Sequence, residues 1–223
     1  MHDSNHNLCV SKVPIFSELS LEKLQEINAL VKSKAYKNGE IIYFEGDPGE
    51  YLYILESGLV KLSKIKKNGD EYILRLLKEG QFFGELVLFK EEHHNSSAEA
   101  IGDCQVCILH KKDLENLIKA SPDLSYKLLA AVTSRLNKTE VQLESIVLED
   151  AKDKTIRLLN KLAKENSQKR QDGLLIDLPL SRDGLASLIG ISQETLSRKL
   201  SELQSDGILV IKGQKQILLK NKL

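Results

Sequence analysis

The sequence predicts an α+β chain with an N-terminal antiparallel β-roll, a long central helix suited to dimerisation and a C-terminal winged helix-turn-helix. Three observations carry this prediction. Eight of the 13 glycines (Gly39, Gly46, Gly49, Gly58, Gly69, Gly80, Gly84 and Gly102) fall between residues 39 and 102, where they separate short β-rich runs. From Pro122 to Leu148 there is no glycine and no further proline, and apolar residues recur every three or four positions. Beyond residue 180, two serine-capped helical segments flank Gly190. The expected domains are a roll with an N-terminal helix at 1–120, a dimerisation helix at 121–149 and the winged helix-turn-helix at 150–223.

Composition excludes several classes. With 41% hydrophobic and 29% charged residues the 223-residue chain is neither disordered nor a disulfide-stapled miniature. It has no apolar run of the roughly 18 residues needed to span a bilayer, and Met1 to Asn5 has no leader-like pattern, so a cytoplasmic protein without a membrane partner is expected. The net charge of zero hides an asymmetry: residues 151–223 carry 14 Lys+Arg against 8 Asp+Glu, and residues 1–150 carry 18 against 24. Only the C-terminal part is suited to a polyanion.

The elements follow in order. Ser20 caps a short helix with Leu24, Ile27 and Leu30 on one face. Strands are expected at Glu40–Phe44, Tyr51–Leu55, Leu59–Ile65, Glu71–Leu77 and Gln105–Leu109, with hairpins at Asn38-Gly39 and Asn68-Gly69. In the long helix Leu129, Val132, Leu136, Thr139, Leu143 and Ile146 form a heptad seam, which fits either a dimer axis or burial on the chain's own roll. A helix containing Ile156, Leu159 and Leu162 runs into a polar stretch, Lys164 to Gly173, expected as a surface loop.

The region from Leu180 to Leu200 has the clearest chemistry. Ser181 caps one helix, Gly190 permits a sharp turn, and Ser192 caps a second helix with Leu196, Leu200 and Leu203 inward. Gln193, Glu194, Thr195, Ser197 and Arg198 then lie on or beside the outward face. Arg198 suits guanine O6 and N7, and Glu194 suits the cytosine N4 amine, although the two could also form an ordinary i, i+4 ion pair. Ile208–Ile211 and Gln216–Leu219 enclose Lys212 and Lys215 in a wing suited to phosphates. The partner indicated is double-stranded DNA.

These features in this order resemble the Crp/Fnr family of bacterial transcription regulators over nearly the whole chain. Gly80-Gln81-Phe82-Phe83-Gly84-Glu85-Leu86 resembles the effector-pocket signature of its cyclic-nucleotide-binding-like domain, and Glu194-Thr195-Leu196-Ser197-Arg198 resembles the Fnr-type recognition helix. The resemblance implies a homodimer on a TTGA-type inverted repeat, acting as an activator or as a repressor, with RNA polymerase as a further partner; the roll lacks well-separated His and Glu ligands and a Ser/Cys–His nucleophile pair, so no enzymatic activity is expected. It also implies an effector pocket at Phe83, Gly84, Glu85, Leu86, Asn95, Ser96 and Ser97. Cyclic-nucleotide-binding members carry an arginine where this chain has Asn95, and asparagine offers no cationic fork to a phosphate, which argues against cAMP.

In Fnr-type relatives four cysteines hold an iron–sulfur cluster. By resemblance Cys9 and Cys107 occupy two of those positions and the other two are absent, which argues against a cluster and leaves a redox pair. Cys104 and Cys107, three apart on one strand, should point to opposite faces. Glu91, Glu92, His93 and His94 fall in a polar loop where the histidines are expected to be solvated, so no metal and no definite cofactor is assigned. Control by redox state or an unidentified small effector, a constitutive regulator, a β-roll metal enzyme and a protein-docking winged helix remain the open readings.

Overall fold

A computed structural model describes residues 20–89 and 93–220 together with Val13 and Phe16. The chain forms two compact units, 1–137 and 138–223. In the first, α1 (Leu21–Leu30) precedes β1 (Lys32–Tyr36), β2 (Ile41–Tyr43), β3 (Tyr51–Ile65), β4 (Glu71–Leu77), β5 (Phe82–Phe83), α2 (Glu85–Phe89), β6 (Ser97–His110) and α3 (Lys111–Ala120). Helix α4 (Pro122–Leu148) begins in this unit and runs into the next.

The sheet runs β1-β6-β3-β4, with β2 also on β6 and β5 also on β3, and every pairing is antiparallel. Its two long strands are covered on both faces, which is why Tyr51 to Leu55 reads as a continuous apolar run rather than an alternating one. Leu52, Ile54, Cys107 and Leu109 pack with Leu24, Ile27, Leu114, Leu124 and Leu128 from the helices. Tyr53, Leu55, Cys104 and Val106 face the other way, among Tyr36, Tyr43, Val60 and Phe83. The expected opposition of Cys104 and Cys107 is therefore present.

Several expectations need correction. The runs 51–55 and 59–65 are one 15-residue strand, β3, whose register against β6 shifts on either side of Ser57. Gly58 sits there at φ +89°, and a Cβ on it would lie 2.6 Å from the Asp103 carbonyl oxygen, so glycine lets the strand bulge without breaking. Asn68-Gly69 closes the β3–β4 hairpin, but Asn38-Gly39 closes none, because β1 and β2 both pair with β6. Leu30 is exposed rather than inward. Strands β1 and β5 and helix α3 have no counterpart among the elements expected from sequence.

The second unit contains α5 (Ala151–Asn166), β7 (Ser167–Arg170), β8 (Gly173–Asp177), α6 (Arg182–Leu188), α7 (Gln193–Ser205), β9 (Leu209–Lys212) and β10 (Gln216–Leu219). Its sheet runs β7-β8-β10-β9. The stretch expected as a surface loop is instead the β7–β8 hairpin, since Leu175 and Ile176 are buried through pairing with β10. The core joins Leu158, Leu159 and Leu162 of α5 to Leu185, Leu196, Leu200 and Leu203 of the helix pair and to Ile217 of the wing. Among the described residues no helix is long and apolar enough to cross a membrane.

Candidate functional site

Helix α7 is held in place by its apolar stripe. Leu196, Leu200 and Leu203 are buried, and the Ser192 hydroxyl accepts from the Thr195 amide at 3.1 Å, capping the N-terminus. Ser181 caps α6 in the same way, accepting from the Gly184 amide at 3.1 Å. Gly190, at φ +71°, turns the chain between the two helices. The serines expected to meet DNA are thus already engaged as caps, although both remain exposed.

The opposite face is open. Gln193, Glu194, Ser197 and Arg198 are exposed and Thr195 is half-buried. Among the described residues neither Glu194 nor Arg198 has an ion-pair partner, so the i, i+4 surface pair does not form. A guanidinium and a carboxylate one turn apart, both unengaged, are available to a third group. Lys212 and Lys215 are exposed on the wing, with Asp172 4.0 Å from the Lys212 ammonium.

The second candidate region lies in the roll. Phe83 is fully buried, and Gly84 at φ +82° turns the chain into α2, placing Glu85 inside at 5% exposure. Arg135 of α4 donates from Nη1 to Glu85 Oε1, while Oε2 is buried without a partner among the described residues. Burial pushes the Glu85 carboxyl up from its ordinary value, opposed by its backbone hydrogen bond and by the Arg75 guanidinium. His94, expected to be solvated, is buried and stacked on Tyr43 at 3.6 Å between ring centroids, because its flat ring completes the aromatic layer of Tyr43, Tyr53 and Phe83. That burial lowers the His94 pKa, and burial pushes the Tyr53 phenol up to about 12.

The other predicted pocket residues scatter. Leu86 and Asn95 are exposed, Ser96 is buried, and Ser97 accepts from the Glu45 amide at 2.9 Å. Sequence reasoning missed Tyr43, Arg75 and Arg135, and placed His94 in solvent. Arg75 carried a signal, since it shares the strand phase of Ile73 and Leu77. Among the described residues no group of three His, Cys, Asp or Glu could hold a metal.

Cys107 is disulfide-bonded and fully buried, so it lacks the partial exposure expected of a switching thiol. Cys104 is a free, buried thiol whose pKa is raised by burial. Cys9 lies outside the described residues, as do Glu91 and Glu92. On α4, Leu129, Val132, Leu136, Thr139 and Leu143 are exposed in the single chain; the Ile146 side chain is outside the description.

Two family models match the chain. Residues 33–121 match the cyclic nucleotide-binding domain model and residues 153–222 the Crp-like helix-turn-helix domain model. The cyclic AMP receptor protein of Thermus thermophilus is 31% identical over 196 residues, covering 88% of each chain. The global nitrogen regulator of Synechocystis sp. is 30% identical over 184 residues, covering 82% of each. The solved structure of the c-di-GMP responsive global regulator CLP of Xanthomonas campestris superposes with a TM-score of 0.80 at 25% identity, covering 91% of this chain and all of that one. These relatives are regulators rather than enzymes, which removes the β-roll metal enzyme. A roll of the cyclic-nucleotide-binding type joined by a long helix to a winged helix-turn-helix, matched along most of the chain, places this protein in the Crp/Fnr family of transcription regulators.

Proposed function

We propose that the chain acts as a homodimer, probing a TTGA-type inverted repeat with two copies of α7 and governed by its β-roll. The observation that carries this reading is the exposed, unpaired set of Gln193, Glu194, Ser197 and Arg198 on a helix whose reverse face is buried. In this reading Glu194 and Arg198 read base edges, Ser197 lies beside them, and Ser181, Ser192, Thr195, Lys212 and Lys215 meet the backbone. Leu129, Val132, Leu136 and Leu143 support the dimer, because such a stripe left exposed on one chain is suited to a second copy. A two-fold axis would set the half-sites about 34 Å apart. RNA polymerase is the further partner expected of an activator of this family.

The named relatives include receptors or responders for cAMP and c-di-GMP, so family membership leaves the effector open. Redox control is one form of the proposal. The chain has three cysteines and Cys104 is free, so Cys9 is the residue left to pair with Cys107 within one protomer. An external dithiol that reduces such a bridge would release both sulfurs as thiols while its own pair is oxidised to a disulfide. Rotation of the α4 pair, with a hinge at Glu149-Asp150, would then present or withdraw the recognition helices.

Fluorescence anisotropy tests the reading on a duplex with two TTGA-type half-sites against a scrambled duplex, using reduced and mildly oxidised protein. The expected result is site-specific binding that weakens on the order of 10³-fold between 50 and 200 mM salt. A change of tenfold or more between the two preparations supports the redox form. Specific binding that no redox state or ligand alters favours a constitutive regulator, and equal affinity for both duplexes overturns the reading.

A further inference from the structure

Strand β9 is the outer strand of the second sheet, bonded to β10 on one side and to no strand on the other. An edge strand carries outward amides that a neighbour must take up or leave to water. The Ile211 amide is one of them, and a side chain of α7 takes it up: Gln204 Oε1 accepts from it at 2.8 Å. Gln204 is exposed, so water would satisfy that amide too, and the bond contributes little to the stability of the fold. What water does not supply is a fixed distance between β9 and α7.

The other leg of the wing is fastened elsewhere. The Lys215 carbonyl accepts from the Leu178 amide at 2.8 Å, and Gln216 donates from Nε2 to Asp177 Oδ1 at 2.8 Å, so the β10 leg is tied to the end of β8. Between β9 and β10 lie only Gly213, Gln214 and Lys215, with Gly213 at φ +67° turning the chain. The start of β9 is joined to α7 by the Ile208 amide, which donates to the Leu203 carbonyl at 3.0 Å. That bond lies three residues short of Ile211, and a strand held only at its start can pivot at its far end. Lys212 follows directly on the residue that Gln204 holds, whereas Lys215 carries the carbonyl that Leu178 holds.

We infer that Gln204 is a positioning residue for DNA binding: by holding the Ile211 amide it fixes the β9 leg of the wing against α7, and so sets where Lys212 meets the phosphate backbone while α7 lies on the bases. This rests on the reading of α7 and the wing as the parts that meet DNA, and deepens it by assigning a residue that acts through another. A lysine delivered at a preset distance from the helix loses less freedom on binding than one on a loose arm.

The test is fluorescence anisotropy of the full-length protein on the duplex with two TTGA-type half-sites and on the scrambled duplex, at several salt concentrations. Gln204→Met keeps the length of the side chain and removes the acceptor. It should weaken binding to both duplexes by the same factor, about threefold to tenfold, and lower the salt slope by about one, the signature of one lost phosphate contact. Tm should move by no more than about 2 °C, and amide exchange should quicken at Ile211 but not at Thr195. Lys212→Gln alone should give the same loss of affinity and slope. On the Lys212→Gln background Gln204→Met should add nothing, and on the Lys215→Gln background it should keep its full effect.

Unchanged affinity and slope in Gln204→Met, with wild-type protein still selecting the TTGA-type duplex, overturns the inference alone. So does an effect that persists in full on the Lys212→Gln background. A loss confined to the TTGA-type duplex means that Gln204 itself reads a base, which overturns the positioning role. Wild-type protein that binds neither duplex overturns the reading of α7 and the wing, and the inference with it.

Discussion

Arg135 of α4 and Glu85 of α2 form an ion pair inside the first unit, with the Glu85 side chain only 6% exposed and that of Arg135 26%. The glutamate of the Phe-Gly-Glu-Leu turn is therefore tied to the helix that also carries the exposed apolar stripe.

Removing Arg135 strips a buried carboxylate of its cation. Arg135→Ala should destabilise the first unit by about 3 kcal/mol, the cost of leaving one partner of a buried pair alone, moderated because Glu85 can take up a proton. Urea unfolding at pH 7 measures this.

Acid should act through His94. Its folded-state pKa is depressed, chiefly by burial. As pH falls through about 6.5, the ordinary histidine value, the unfolded chain takes up protons that the folded chain refuses, so stability drops. Glu85, raised by burial, has the opposite sign: the folded chain holds its proton above the ordinary carboxylate value, and that contribution is lost as pH rises. Replacing His94 by Phe should flatten the fall in Tm between pH 7 and 5; an unchanged slope would remove His94 as its source.

On α7 the two sides of the helix should respond differently. Arg198→Ala should cost about 1–3 kcal/mol of site-specific affinity and relax discrimination at one base pair, while leaving Tm almost unchanged. Lys215→Ala should weaken binding to all duplexes and reduce the salt slope by about one. Anisotropy titrations at several salt concentrations distinguish the two.

Ser192→Ala should remove the cap on α7 and cost about 1 kcal/mol of stability in the second unit. Thermal unfolding together with faster amide exchange at Thr195 is the expected signature. Loss of DNA binding greater than the loss of folding would show that the hydroxyl has a further role.

Much of the recognition helix is legible in the amino-acid sequence, because caps, a turn glycine and an apolar stripe are local signals. Ser181, Gly190, Ser192, Leu196 and Leu203 occupy the places their chemistry predicts. The roll is less legible. Strand β5 is two residues long, and β1 shows exposed polar residues along most of its length, so neither carries a pattern of its own. The β7–β8 hairpin is hidden because its polar residues are an outer edge and its burial comes from β10.

The sequence by itself determined the order of roll, long helix and winged helix-turn-helix, together with the outward face of α7. Those follow from period, capping and turn chemistry, which neighbouring residues decide among themselves. Only the tertiary structure decided that β3 is one bulged strand, that His94 is buried against Tyr43, and that Arg135 pairs with Glu85. The physical reason is distance along the chain: Glu85 and Arg135 lie 50 positions apart, and no local rule brings charges together across such a separation until the sheet and the helix have packed.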